Sequence, residues 1–129
     1  MDRPRLTLSV LQDTFAICRL DKGAQLPDWA CKGGFISITR TPNELSVVCP
    51  QSSVPEGAKC EKGWRCLKVK GPLDFSLTGI IASLATPLAQ AGISIFVVST
   101  YDTDYLLIKE KDLERAVWIL SQEGHQVQG

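Results

Sequence analysis

The sequence has a single histidine, His125, and no excess of either charge, because 14 basic side chains balance 14 acidic ones. A protein without net charge has no overall field to attract nucleic acid or an anionic membrane. His125 follows the last predicted helix and is expected to be exposed, so an acid/base pair built on it would lie on a mobile tail. The sequence therefore predicts no catalytic activity, no nucleic-acid partner and no membrane partner.

Metal-binding and redox cysteine motifs are also missing. The five cysteines are an odd number, and no two of them are spaced as C-x-x-C. Structural zinc sites and redox dithiols therefore lack the spacing that is typical of them. We expect reduced, mostly buried thiols, no bound metal and no cofactor.

The chain has no long hydrophobic run. Its most apolar stretch, residues 77–98, is interrupted by glycines, a proline and hydroxyl side chains, which argues against a membrane span. Residues 1–10 lack the apolar segment and the small-residue cleavage site of a secretory signal. We expect a cytoplasmic protein whose 129 residues form one compact unit or two small subdomains.

The first half of the chain shows short alternating segments separated by turn residues. The predicted strands lie at residues 6–11, 15–20, 35–39 and 45–49. Gln12-Asp13 is predicted to turn the chain between the first two strands, which makes them a hairpin. The segment "PQSSVPEGAKCEKG" is rich in proline, glycine and serine and predicts a loop. The predicted subdomains are therefore residues 1–60 and residues 61–129.

The second half has a clearer pattern. After a strand in "WRCLKVKG", the spacing of apolar residues predicts a helix that begins near Thr78 as N-cap and ends at Gly92. "ISIFVVS" and "YLLIK" predict two strands, and "KDLERAVWILSQEG" predicts a second helix before a short strand near residues 125–127. The order β-α-β-β-α-β is ferredoxin-like, an α+β fold with an antiparallel sheet and both helices on one face.

The acidic segment "STYDTDY", residues 99–105, stands between the two predicted strands. D-x-D spacing occurs in Mg²⁺ sites, but here no third ligand or phosphate-binding loop accompanies the two carboxylates. We therefore expect no metal and interpret Asp102 as a solvated turn residue. Tyr101 either packs over a ligand or belongs to the core.

The same segment, together with "GIIA" and "PLA" in the helix before it, resembles the ACT domains of small two-ACT bacterial proteins and of the CASTOR family of cytosolic arginine sensors. "FISITRTPNELSVVC" is similar to the more degenerate N-terminal ACT half of these proteins. The resemblance implies two ferredoxin-like subdomains packed side by side, a homodimer, and an amino acid or other small ligand at an interface between ACT units. It also implies a regulatory protein that acts through an unidentified effector protein or through oligomerisation. A ligand-free oligomerising scaffold or protein-interaction module is the alternative.

An amino-acid site needs N–H donors for the carboxylate and an anionic acceptor for the ammonium group. The turn at Thr78 and Gly79 leads into a helix whose first N–H groups lack intrahelical partners. Thr78 either offers its hydroxyl to the ligand or caps the helix. The resemblance assigns Asp104 as the acceptor, and the alternative is that Asp104 caps its own turn. The predicted ligand-binding residues are Thr78, Gly79, Ile80, Thr100, Tyr101 and Asp104.

Asp74 and Phe75, which precede the predicted helix, are candidates for ligand specificity. At the position that matches Asp74 the arginine sensors have a glycine, whereas this chain has Asp74 followed by Phe75. A carboxylate that points into the cleft favours a cationic ligand and repels an acidic one. Because the added side chain also takes up space, arginine specificity does not follow from the resemblance.

Overall fold

Strands and helices of the computed structural model are described for residues 5–74 and 78–129. The strands are β1 (Thr7–Leu20), β2 (Ser37–Arg40), β3 (Leu45–Pro50), β4 (Cys60–Val69), β5 (Ile95–Ser99), β6 (Asp104–Lys109) and β7 (Gln126–Gln128). The α-helices are α1 (Ile80–Gln90) and α2 (Leu113–Gln122), and short 3₁₀ helices lie at Asp28–Cys31, Gln51–Ser53 and Glu110–Asp112. None of the described helices has the length and apolar character needed to cross a bilayer.

Packing divides the chain into two units. The N-terminal unit comprises residues 13–64, and the C-terminal unit comprises the described residues of 1–12 and of 65–129. β1 and β4 each continue from one unit into the other. Packing therefore assigns residues 5–12 to the second unit, whereas the sequence-based limits of 1–60 and 61–129 assign them to the first.

The hairpin predicted in the first 20 residues is wrong, because Thr7–Leu20 is one continuous strand. Gln12 and Asp13, the predicted turn, are exposed residues inside it. Even-numbered residues of β1 are buried both before and after Gln12 and Asp13. Leu8 belongs to one hydrophobic cluster, and Ala16 and Cys18 belong to another. Such alternation persists only in a strand that runs on without a turn. The two polar residues therefore mark the passage between the units.

The N-terminal unit has the strand order β2-β3-β1-β4. β3 pairs antiparallel with β1 and with β2, so that Val47 lies opposite Cys18 on one side and Ile38 on the other. This is the ferredoxin-like order, but single 3₁₀ helices occupy the places of the two α-helices. The core of the unit consists of buried residues from β1, β3 and the first 3₁₀ helix: Ala16, Cys18, Ala30, Leu45, Val47 and Cys49.

The C-terminal unit has the strand order β7-β1-β4-β6-β5. β5 and β6 pair antiparallel, and β7 pairs parallel with β1. In the ferredoxin-like order of β4, β5, β6 and β7, the strand β1 lies between β7, the last strand, and β4, the first. Both α-helices pack on the same face of the sheet, because their buried residues share one cluster with alternate residues of β4 and β6. Its members are Leu8, Leu67, Val69, Leu84, Leu88, Ile93, Leu106, Ile108, Ala116 and Leu120. The predicted α+β fold is confirmed.

Glycines define both ends of α1. The N-cap is Gly79, in the left-handed conformation with φ 78°, and no side chain of the described residues caps the helix. The prediction that Thr78 is the N-cap is therefore wrong. At the other end Gly92 has φ 75°, and the N–H of Ile93 donates to Leu88 O at 3.0 Å. This six-to-one hydrogen bond across a left-handed glycine is a Schellman motif, and it confirms the prediction that the helix ends at Gly92.

His125 is only 6% exposed, so the expectation of an exposed histidine is wrong. Gly124, with φ 93°, turns the chain after α2, and the pairing of β7 with β1 then carries the imidazole inward. Its Nδ1 accepts the N–H of Leu6 at 3.1 Å, and its Nε2 lies 3.3 Å from Ser83 O. Because an accepting Nδ1 carries no proton, we assign the neutral tautomer with the proton on Nε2.

The cysteines differ in exposure and are all free thiols. Cys18, Cys49 and Cys66 are buried, Cys60 is half-buried and Cys31 is exposed. Burial, together with the neighbouring Cys49 and Cys60, raises the pKa of the Cys18 thiol to about 12. Burial raises the pKa of the Cys66 thiol to about 12. Thiols that stay protonated are poor nucleophiles and poor metal ligands at neutral pH.

Candidate ligand-binding site

A cavity of about 380 Å³ lies in the C-terminal unit, where α1 begins and β5 turns into β6. Its volume falls within the range of small-molecule sites. Three segments line it: the connection after β4, the first turn of α1 and the connection from β5 to β6. The lining consists of Leu73 and Asp74, residues 79–82 and residues 99–104.

The connection between β5 and β6 is a turn closed by its own threonines. The N–H of Thr100 donates to Thr103 O at 2.8 Å, and the Thr100 hydroxyl donates to the same oxygen at 3.0 Å. The N–H of Thr103 donates back to Thr100 Oγ1 at 3.3 Å. Ser99 and Asp104 are paired across the two strands at the base of this turn. The turn therefore keeps its shape without a ligand.

Thr103 fastens the turn to the end of β4. Its side chain is 5% exposed, and its hydroxyl donates to Val69 O at 2.7 Å. A second bond runs from the N–H of Leu73 to Asp102 O at 2.6 Å. Gly71 allows this approach, because a Cβ there would lie 3.0 Å from both Asp102 O and Thr103 Cβ. These hydrogen bonds thus tie the turn to β4 and to the connection after it, and the bond from Thr103 is buried.

The first turn of α1 presents backbone donors to the cavity. The first N–H of the helix that bonds within it is that of Ser83, which donates to Gly79 O at 2.9 Å. Among the described residues, no acceptor takes the N–H groups of Ile80, Ile81 or Ala82, as is usual for a first turn. A Cβ at Gly79 would meet no atom of the described residues within 4 Å. Such donors suit a carboxylate or another anion.

Asp104 adds a half-buried carboxylate to the lining. Its Oδ1 accepts the hydroxyl of Ser99 at 2.6 Å. Asp74 and Asp102 add two further carboxylates to the lining, and none of the described lining residues is basic. The described part of the chain contains no group of three or more His, Cys, Asp or Glu side chains able to hold a metal ion. The described part of the lining is therefore acidic.

Most of the predicted ligand-binding residues meet in this cavity. Gly79, Ile80, Thr100, Tyr101 and Asp104 line it, as does the specificity candidate Asp74. Thr78 is exposed and does not line it, and Phe75 lies outside the described residues. Tyr101 is 80% exposed, so it does not belong to the core.

Sequence reasoning missed several lining residues, above all Thr103. Nothing in the sequence distinguishes Thr103 from Thr100, because the contact of Thr103 with Val69 joins residues 34 positions apart. Ile81 and Ala82 could have been identified, since they follow Ile80 in the same first turn of the predicted helix. Leu73 was also missed, and the signal for it was its place beside Asp74.

Two family models cover most of the chain. A model described as an ACT domain matches residues 59–122, and a model of an N-terminal domain matches residues 13–57. The cytosolic arginine sensor for mTORC1 subunit 1 of Bos taurus is 30% identical over 104 residues, which is 72% of this chain and 31% of the sensor. The match therefore spans less than a third of that relative.

Two solved structures have the same overall topology. The protein Atu0741 of Agrobacterium tumefaciens is 44% identical and superposes with a TM-score of 0.92, over 96% of this chain and 92% of that chain. The ligand-free regulatory subunit of aspartate kinase from Thermus thermophilus is 12% identical, with a TM-score of 0.61 over 88% of this chain and 96% of that chain. At that identity the second likeness concerns the fold alone.

Proposed function

Because the chain belongs to the ACT domain family, we propose that it is a regulatory protein without catalytic activity that binds an amino acid in the cavity of its C-terminal unit. The observation that carries the proposal is that unlike groups line the same cavity. The first residues of α1, whose N–H groups are donors, and Asp104, which carries a carboxylate, both belong to its lining. An α-amino acid carries the two matching groups, a carboxylate and an ammonium.

The chemistry assigns each end of the ligand to one wall. The ligand carboxylate accepts hydrogen bonds from the first turn of α1, where the helix dipole also favours negative charge. The ligand ammonium donates to Asp104, which Ser99 already holds in place. A charge-assisted bond of this kind contributes roughly 1.5 to 3 kcal/mol when water is excluded.

The charge of the wall favours a basic amino acid. A plain ammonium group neutralises one carboxylate, and the exposed Asp102 adds a second carboxylate to the same lining. A ligand with a second positive group, such as arginine or lysine, fits this excess better than a neutral or acidic amino acid. The arginine sensor among the relatives agrees with this class of ligand.

A homodimer is part of the proposal. β5 has β6 as its neighbour at one end of the strand order, and its sequence IFVVS carries no charged residue. Such an edge is available for pairing with a further strand. A second copy that pairs with this edge would lie next to Ser99, which lines the cavity. The ligand would then lie at an interface between ACT units.

We further propose that the protein is cytoplasmic, as the name of the sensor states for that relative, and that an effector protein responds to ligand occupancy.

Thermal-shift measurements with each proteinogenic amino acid test the proposal. A ligand present at 100 times its dissociation constant is expected to raise the free energy of unfolding by about 2.7 kcal/mol. Asp104→Asn keeps the shape and the acceptor for Ser99 but removes the charge, and it is expected to weaken binding of the active amino acid by about 10- to 100-fold. Affinity is measured by isothermal titration calorimetry.

Asp21→Asn is the matched control, because Asp21 is an exposed aspartate in the N-terminal unit. It is expected to leave the affinity unchanged. Equal affinity of Asp104→Asn and the original protein removes Asp104 from the site. If no amino acid shifts the melting temperature, the alternative of a ligand-free scaffold or protein-interaction module replaces the proposal.

A further inference from the structure

Pro87 leaves a gap in the hydrogen bonding of α1. In an α-helix the carbonyl of one residue accepts the N–H four positions later, and proline has no N–H to donate. Pro87 lies inside α1 and is buried, so Ser83 O lacks its regular partner. An unmatched carbonyl in a buried part of a helix costs free energy unless another donor replaces the missing one.

His125 supplies the replacement. Its Nε2 lies 3.3 Å from Ser83 O, and Nε2 carries the proton because Nδ1 accepts the N–H of Leu6 at 3.1 Å. Leu6 also accepts the N–H of Gln126 at 2.8 Å, which begins the pairing of β7 with β1. The imidazole therefore joins α1 to the place where β1 and β7 meet.

Ser83 passes this support on to the cavity. Its N–H donates to Gly79 O at 2.9 Å, and its hydroxyl donates to Ile80 O at 2.8 Å. Both acceptors belong to residues that line the cavity. Ser83 is 3% exposed, so water does not compete for these bonds. One buried serine thus receives a bond from His125 and holds the first turn of α1.

We infer that His125 is a positioning residue for the cavity: it replaces the helix donor that Pro87 lacks and so holds the donor-bearing first turn of α1 in place. The inference rests on the proposed function only in treating that turn as part of a ligand site. The reason for the burial of the single histidine is thus a proline 38 positions earlier in the chain.

A double-mutant cycle between Pro87 and His125 tests the inference. Amide hydrogen exchange is measured by NMR in the original protein, His125→Ala, Pro87→Ala and the double variant. His125→Ala alone is expected to speed exchange of the Ser83 amide by about tenfold, the equivalent of one buried hydrogen bond, and to leave the amides of β6 unchanged. In the Pro87→Ala background the new N–H at position 87 can bond to Ser83 O. There, His125→Ala is expected to speed exchange of the Ser83 amide by at most a third as much as in the original protein.

The Leu6 amide is the internal control, because it loses its acceptor in both backgrounds and should exchange faster in both. Equal acceleration of the Ser83 amide in the original and the Pro87→Ala backgrounds contradicts the inference, as does no acceleration at all, since His125 then only fills space. If His125→Ala does not fold, Pro87→Ala is expected to restore folding, and failure of that rescue also overturns it.

A titration with L-arginine adds a functional readout. His125→Ala is expected to weaken arginine binding at least fivefold, and Pro87→Ala in the same chain is expected to restore it. If arginine does not bind the original protein, that result counts against the proposed class of ligand, while the exchange data still decide the role of His125. Arginine binding that is lost equally in both backgrounds contradicts the inference.

Discussion

Thr103 and Asp104 are neighbours in the sequence, yet they serve different parts of the molecule. The Thr103 hydroxyl is buried against Val69 O and fixes the turn to β4. The Asp104 carboxylate is half-buried at the start of β6 and presents its charge to the cavity. Two neighbouring residues thus supply an anchor for the turn and a candidate binding group.

Replacing Thr103 by valine tests the anchor. Valine keeps the shape of the side chain but leaves Val69 O buried without its donor, which is expected to lower the free energy of unfolding by about 1 to 3 kcal/mol. Urea denaturation gives the change. Thr103→Ser keeps the hydroxyl and is the control, expected to retain most of the stability. A Thr103→Val protein as stable as the original would show that the hydroxyl has no anchoring role.

At the scale of elements, short connections hold the cavity walls together. The connection after β4 and the turn between β5 and β6 approach so closely that a Cβ at Gly71 would lie 3.0 Å from Asp102 O. α1 is held by Ser83 and His125 despite the proline in its interior. Each wall thus depends on contacts with an element that is distant in the sequence.

Gly71→Ala is expected to force these connections apart. The added Cβ overpacks a contact made partly with backbone, and we expect a loss of about 1 to 3 kcal/mol in unfolding free energy together with weaker ligand binding. Gly23→Ala is the matched control, because a Cβ at Gly23 meets no atom of the described residues within 4 Å. Its free energy of unfolding should stay within about 0.5 kcal/mol of the original. Similar results for both glycines would contradict the proposed close contact.

At the scale of the whole molecule, both units use the ferredoxin-like strand order but fill it differently. The N-terminal unit has single 3₁₀ helices where the C-terminal unit has α1 and α2. β1 and β4 run through both units, so each unit's sheet contains part of the same two strands. Both units also bury cysteine thiols, Cys18 in the first and Cys66 in the second.

These thiols predict a loss of stability at alkaline pH. Burial raises the pKa of Cys66 from 9.0 to about 12, so the unfolded chain loses this proton at lower pH than the folded protein does. The stabilisation is therefore fully present below pH 9 and is lost as the pH rises towards 12, by up to about 1.4 kcal/mol per pH unit for one thiol. Urea denaturation between about pH 8 and pH 10.5 measures the slope. Cys66→Ala is expected to show a shallower decline, and an identical slope in both proteins would rule out this contribution.

The predictable part of the site came from patterns within short segments. Apolar spacing located α1 and the two strands around the acidic turn, and the residues that fall at their ends, among them Gly79 and Asp104, line one cavity. The role of Thr103 was not predictable, because its partner Val69 belongs to another strand. Thr78 was predicted as the cap, yet the left-handed conformation at Gly79 makes the glycine the N-cap.

The sequence by itself determined the alternation of elements in the C-terminal half, the glycine that ends α1 and the acidic turn after β5, because these depend on neighbours a few residues away. Only the tertiary structure decided that β1 is one strand, since β7 and β3, which pair with it on either side of Gln12 and Asp13, come from distant parts of the chain. It also decided that His125 is buried. The imidazole can replace the N–H that Pro87 lacks only when the fold brings α1 and the start of β7 together.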